Sequence, residues 1–150
     1  MKPDQLFPAM EATWPPARSW RLGPFCLRDG AGGGKRVSAA SLEGDFAGAD
    51  LDAAEAAMAV PLFLIRPGDE ALDAVLAARG YRLVDPVLAY AVPLAGIAQP
   101  ERMTTFPHWP PMAIARALWA DAGIGPARLA VMERAAGPKC VILGRVQDRA

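Results

Sequence analysis

The apolar positions of this chain change period several times. In "PDQLFPAMEATW", Leu6, Met10 and Thr13 or Trp14 recur at helical spacing, so a short helix is expected, ending at Pro15-Pro16. "SWRLGPFCLRDG" then alternates, with Trp20, Leu22, Phe25 and Leu27 apolar and Gly23-Pro24 as an interruption, which predicts an irregular strand. "KRVSAASLEG" is a second, short strand candidate. Residues 49–59 form an alanine-rich helix that Asp50 can cap. "PLFLIRP" has the length of a buried strand, and "GDEALDAVLAARG" is a helix with Asp69 as cap, Leu72, Val75 and Leu76 on one face, and Gly80 as its stop. "YRLVDPVLAYAVPL" returns to a strand pattern, with Pro86 implying an edge or bulge.

Residues 97–103 lack periodicity and read as a linker between a unit at 1–96 and another at 104–150. In the second, three prolines precede a helix expected from about Pro111 to Ala122, with Ile114, Ala115, Leu118 and Trp119 on one face and Gly123 closing it. "ARLAVMER" and "KCVILGRV" read as strands joined by "AAGP". A helix and a hairpin cannot bury both their faces, so this unit looks incomplete, with an apolar strand at 139–146 left on an edge.

Composition narrows the picture. With 53% apolar and 21% charged residues, the chain can pack a core. Sixteen basic residues balance sixteen acidic ones, which gives no reason to expect nucleic acid or a membrane surface as partner. Residues 1–97 carry nine basic and twelve acidic residues, and 98–150 carry seven and four, a mild asymmetry that agrees with two units. The N-terminal stretch lacks the apolar run of a secretory leader, so a cytoplasmic protein is expected. Cys26 and Cys140 lie in apolar runs and are expected to be buried thiols.

The stretch "RDGAGGGKRVSAAS" invites a phosphate-loop reading, but its spacing fails. Asp29 stands where the first glycine of a Walker-type loop belongs, and Arg36 where a hydroxyl should follow Lys35. A dinucleotide fingerprint would need glycine at Lys35. A turn between strands is expected, with glycines at positive φ. The acidic residues Asp69, Glu70 and Asp73 suit a helix start better than a metal, and no metal site is expected. Ser38 and Ser41 have no adjacent base. His108, the only histidine, stands in "FPHWPP" as the sole candidate for a histidine base.

The strand–helix–strand order of residues 61–92, with Gly80-Tyr81 in "LAARGYRLVDPVLAY", resembles the close of a GNAT-type N-acetyltransferase domain. "LRDGAGGGKRVSAAS" is similar to the two-strand segment in front of it in bacterial two-lobe members. The resemblance implies an α/β fold (α+β by strict naming), with a mixed, mostly antiparallel sheet and flanking helices. It makes 1–96 a degenerate first lobe and 104–150 the start of a catalytic-type lobe. It implies acetyl-CoA as co-substrate and a small-molecule or peptide amine as acceptor, with Phe106, His108 and Trp109 lining the acceptor pocket. The family's pyrophosphate loop, R/Q-x-x-G-x-G/A, does not occur after residue 126, and "GIGPAR" is expected to run into a strand rather than a helix. The loop is therefore expected beyond Ala150, and no catalytic or cofactor-binding residue is assigned. An alternative from another class is a non-catalytic module with the same lobe, forming a homodimer through the sheet edge at 139–146.

Overall fold

The computed structural model describes residues 3–145. Helix α1, Pro3–Thr13, leads into strand β1, Arg18–Leu22, and strand β2, Phe25–Asp29. The interruption at Gly23-Pro24 is a tight reversal: β1 and β2 pair antiparallel with Leu22 opposite Phe25, and Gly23 takes φ 55°. Strand β3, Ala40–Leu42, pairs antiparallel with β2. Helix α2, Gly48–Ala56, crosses over to strand β4, Phe63–Leu64, which lies parallel to β3. The result is a four-stranded mixed sheet in the order β1-β2-β3-β4. Helix α3, Glu70–Ala78, follows. The fold is α+β, as expected.

Alternation along β2 sends Phe25 and Leu27 to one face, where both are fully buried. Leu51 and Ala54 of α2 and Leu72 and Leu76 of α3 close over them. Aromatic rings run through this core: Phe46 meets Phe25 at 6.1 Å, Phe25 meets Phe63 at 5.7 Å, and Phe63 meets Tyr81 at 5.6 Å between centroids. On the other side of the strands, Arg28 ties α1 to the sheet. Its guanidinium donates to both oxygens of Glu11 at 3.1 and 2.9 Å, to the carbonyls of Cys26 and Ala39, and to Ser41 Oγ.

The helix stop at Gly80 is as the sequence predicts. Gly80 takes φ 88°, its N–H donates to Ala77, and the N–H of Tyr81 donates to Leu76. Gly123 closes its helix in the same way, at φ 75°. Asp50 lies at the third residue of α2, where its carboxylate accepts from the N–H of Ala47. Asp69 precedes α3 but does not cap it; it holds the backbone and side chain of Arg66 instead.

Several expectations are overturned. Residues 81–93 form no strand. Pro86 and Pro93 each lack a donor, and β4 is too short an edge to hold a long partner. "ARLAVMER" is not a strand but part of helix α5, Pro126–Arg134. Pro126 opens that helix, and Ala127, Ala130, Val131 and Arg134 turn inward at helical spacing. The hairpin through "AAGP" therefore does not exist. Strand β6, Val141–Gly144, instead pairs antiparallel with strand β5, Thr105–His108, inside the stretch read as a proline-rich approach to a helix. Pro107 is tolerated because a two-stranded ribbon leaves each strand one edge without ladder bonds. Helix α4, Ala113–Asp121, is shorter than expected, and Ile114 and Leu118 of its apolar face are exposed. Cys140 is exposed and Cys26 half-buried, so neither is the fully buried thiol expected. Residues 146–150 of the expected last strand lie outside the described residues.

Candidate functional site

The glycine stretch is a turn between β2 and β3. Gly32 and Gly34 take positive φ and the N–H of Gly33 donates to the carbonyl of Gly30. A single 3-10 turn, Lys35–Val37, follows before β3, in place of the strand expected to follow directly. The reason for so little side chain at this turn is contact with α5. A Cβ on Gly33 would stand 2.4 Å from Val131 Cγ2, and one on Gly32 would stand 3.3 Å from Ala127 Cβ. Val131 is fully buried there. The glycines let a helix approach, and Lys35 pairs outward with Asp85 at 2.8 Å. The expected turn is present, and its purpose in packing was not visible in the sequence.

Phe106 and His108 share one face of β5, two residues apart, and are half-buried. The Nδ1 of His108 lies 3.0 Å from the carbonyl oxygen of Phe106. A carbonyl only accepts, so Nδ1 carries the proton in the neutral ring and Nε2 carries the lone pair. Nε2 is buried without a hydrogen-bond partner among the described residues. That tautomer suits a proton acceptor. Trp109 departs from this pair. It is exposed, and its ring lies 5.0 Å from Nζ of Lys139. Lys139 Nζ also donates to the carbonyls of Met132, Glu133 and Ala135 at the end of α5. The structure thus brings Phe106 and His108 together and sets Trp109 to a packing contact at a helix end.

Two open grooves mark the surface. One of about 430 Å³ runs between α1 and β1 beside Glu11 and Arg18. The other, about 440 Å³, lies between Phe46 and the start of α3. Neither is lined by Phe106, His108 or Trp109. Among the described residues, no group of three or more histidine, cysteine or acidic side chains is placed to hold a metal ion, and no helix is long and apolar enough to cross a membrane.

Two helix starts bear on phosphate binding. At α2 the Asp50 carboxylate already occupies the N–H of Ala47, 2.8 Å away, and sets a negative charge where an anion would sit. At α5, "GIGPAR" does run into a helix, which corrects the expectation of a strand. The start of α5 is still poor in donors: Pro126 has no N–H, and the N–H groups of Arg128 and Leu129 donate to Gly125. Ala120 stands where the family motif needs Arg or Gln.

Around the junction after α3, Tyr81 donates its hydroxyl to Glu55 at 2.9 Å. Burial, then the Glu55 carboxylate, pushes its phenol up to about 12. Arg79 joins Asp52 and Glu55 at 2.6 and 2.8 Å, and the carboxylates, Asp52 first, hold its guanidinium above its ordinary range. These contacts fasten α3 to α2 and are structural. No family model, curated protein or solved structure matches this chain.

Proposed function

We propose that this chain is the front part of an acetyl-CoA-dependent N-acetyltransferase of the GNAT type. The supporting observation is the Gly80-Tyr81 step and its surroundings. A left-handed glycine ends α3 and turns the next aromatic ring back onto Phe63 of β4, beside a mixed, mostly antiparallel sheet. The strand and helix before that step, β4 and α3, follow the order the family resemblance implies, while the strand it implies after the step is absent among the described residues. In this reading residues 1–96 support and shape. Phe106 and His108 border the acceptor amine, with Trp109 at the rim.

The amine attacks the thioester carbonyl of acetyl-CoA. It loses a proton to a base, and the CoA thiolate leaves. Because Asp50 fills the start of α2, the pyrophosphate of acetyl-CoA is held outside this first lobe.

The test uses two samples. The gene product isolated from its own cells is incubated with acetyl-CoA and a panel of small and peptide amines, and free CoA thiol is followed. The 150-residue chain is titrated with acetyl-CoA by calorimetry. Thiol release by the first sample without saturable binding by the second is expected. A micromolar dissociation constant for the 150-residue chain, or no release with any amine, refutes the assignment.

A further inference from the structure

Residues 104–145 hold little core of their own. Among the described residues of this half, Ala115, Val131 and Val141 are buried, while Ile114, Leu118 and Ile142 stay exposed. The first half differs: Phe25, Leu27, Leu51 and Leu72 are fully buried in one cluster. A piece of about 40 residues seldom folds alone without a disulfide, a metal or a partner. Cys140 is a free thiol, so no disulfide braces this half.

Part of what the second half buries, it buries against the first. Val131 of α5 is fully buried, and its Cγ2 stands 2.4 Å from where a Cβ on Gly33 would be. A methyl carbon of Val37, in the first half, stands 3.1 Å from the same point. Val37 is fully buried too, yet it does not belong to the main core cluster. Val37, Gly33 and Val131 thus form a small second core shared by the two halves. Around it, Ala127 lies against Gly32, the Arg128 guanidinium against Gly34, and Arg134 donates to the carbonyl of Pro15. The chain between the halves, 82–103, is exposed along its whole length.

We propose that residues 104–145 are ordered only while docked on the glycine turn, so that the Val131 contact is a latch that orders or releases this half while the first stays folded. The shared core supplies much of the burial that offsets the entropy cost of ordering α4, α5 and the β5–β6 ribbon. The dependence runs one way, because the first half keeps its own cluster when the second is released. Phe106 and His108 then lie on a strand that exists only in the docked state. This inference does not depend on the acetyltransferase reading.

Native-state amide exchange of the 150-residue chain tests it. In the wild type, the amides of α4, α5, β5 and β6 should exchange at one common rate, faster than those of β2 and α2. Val131→Asp places a charge in the shared core and should speed that whole group by at least about a hundredfold, with β2 and α2 changed by less than about threefold. Val131→Ala, a milder change, should speed the same group together by about tenfold. Protection that persists in α4 and the β5–β6 ribbon of Val131→Asp overturns the proposal, because that half then folds by itself. Loss of protection in β2 and α2 in step with α5, in either variant, overturns it too, because the chain is then one cooperative body. Equal rates in both halves of the wild type have the same meaning.

Discussion

Replacing Arg28 by Met should cost well beyond the loss of an ordinary surface ion pair. The Arg28 side chain is only 8% exposed, yet it makes five hydrogen bonds. Burial alone would draw its guanidinium down; the bonds and charge of Glu11 outweigh this and hold it above its ordinary value. Methionine fills most of the volume and forms none of these bonds. The Glu11 side is 43% exposed, so water re-solvates that carboxylate and the loss there is about 1 kcal/mol or less. The inner side is different. Ala39 is buried and Ser41 fully so, and the Ala39 carbonyl loses its charged donor where water does not easily follow. That part adds about 2 kcal/mol, for a total of about 3 kcal/mol. For a chain of this size the melting temperature should fall by roughly 10 °C. Urea denaturation followed at 222 nm supplies the free energy, with an unchanged slope showing that the unfolded state is unaltered. Glu11→Gln should cost only about 1 kcal/mol. If Arg28→Met costs no more than Glu11→Gln, the inner hydrogen bonds contribute nothing and the reasoning fails.

Three further outcomes follow from contacts elsewhere. Gly33→Ala drives a methyl group into Val131, so it should destabilise the fold by about 1–3 kcal/mol and speed amide exchange in α5. Lys35→Ala, beside it, removes a solvent-exposed pair and should cost less than about 1 kcal/mol. In a Tyr90→Phe background, phenolate absorbance reports Tyr81 alone and should rise with a midpoint near 12. Because the folded phenol titrates above its unfolded value of about 10, the stability it contributes is complete below pH ~10 and is lost as pH rises through 12. A midpoint near 10 would mean that the Glu55 contact is not formed.

The first half of the chain was legible because its signals are local. Gly80 fixes its helix stop by its own backbone preference, and the helical face around Leu72 carries enough period to be read alone, whereas Gly23-Pro24, by its pattern an interruption in one strand, is the reversal between two. The errors share a cause. Residues 87–92 have strand propensity, but propensity does not supply a neighbour, and the lobe has none in reach. "ARLAVMER" is too short to separate two periods by apolar spacing; the Gly125-Pro126 start was the deciding signal. At the candidate site, the closeness of Phe106 and His108 was predictable only as sequence neighbours. The His108 tautomer comes from a backbone carbonyl that no pattern of residue types reveals. The separate fate of Trp109 depends on Lys139, thirty positions away in the sequence, and on the helix end that lysine caps.

The contact between α5 and the glycine turn also bears on how the chain can change over time. Gly33 against Val131, with Arg134 donating to the carbonyl of Pro15, locates the second half on the first without help from the peptide that connects them. The connecting stretch around 97–103 is exposed throughout. Its length and composition are thus free to drift, and residues can be gained or lost there without moving the halves. The turn has no such freedom: any side chain at Gly33 would meet Val131 Cγ2 at 2.4 Å and the Gly30 carbonyl oxygen at 2.9 Å.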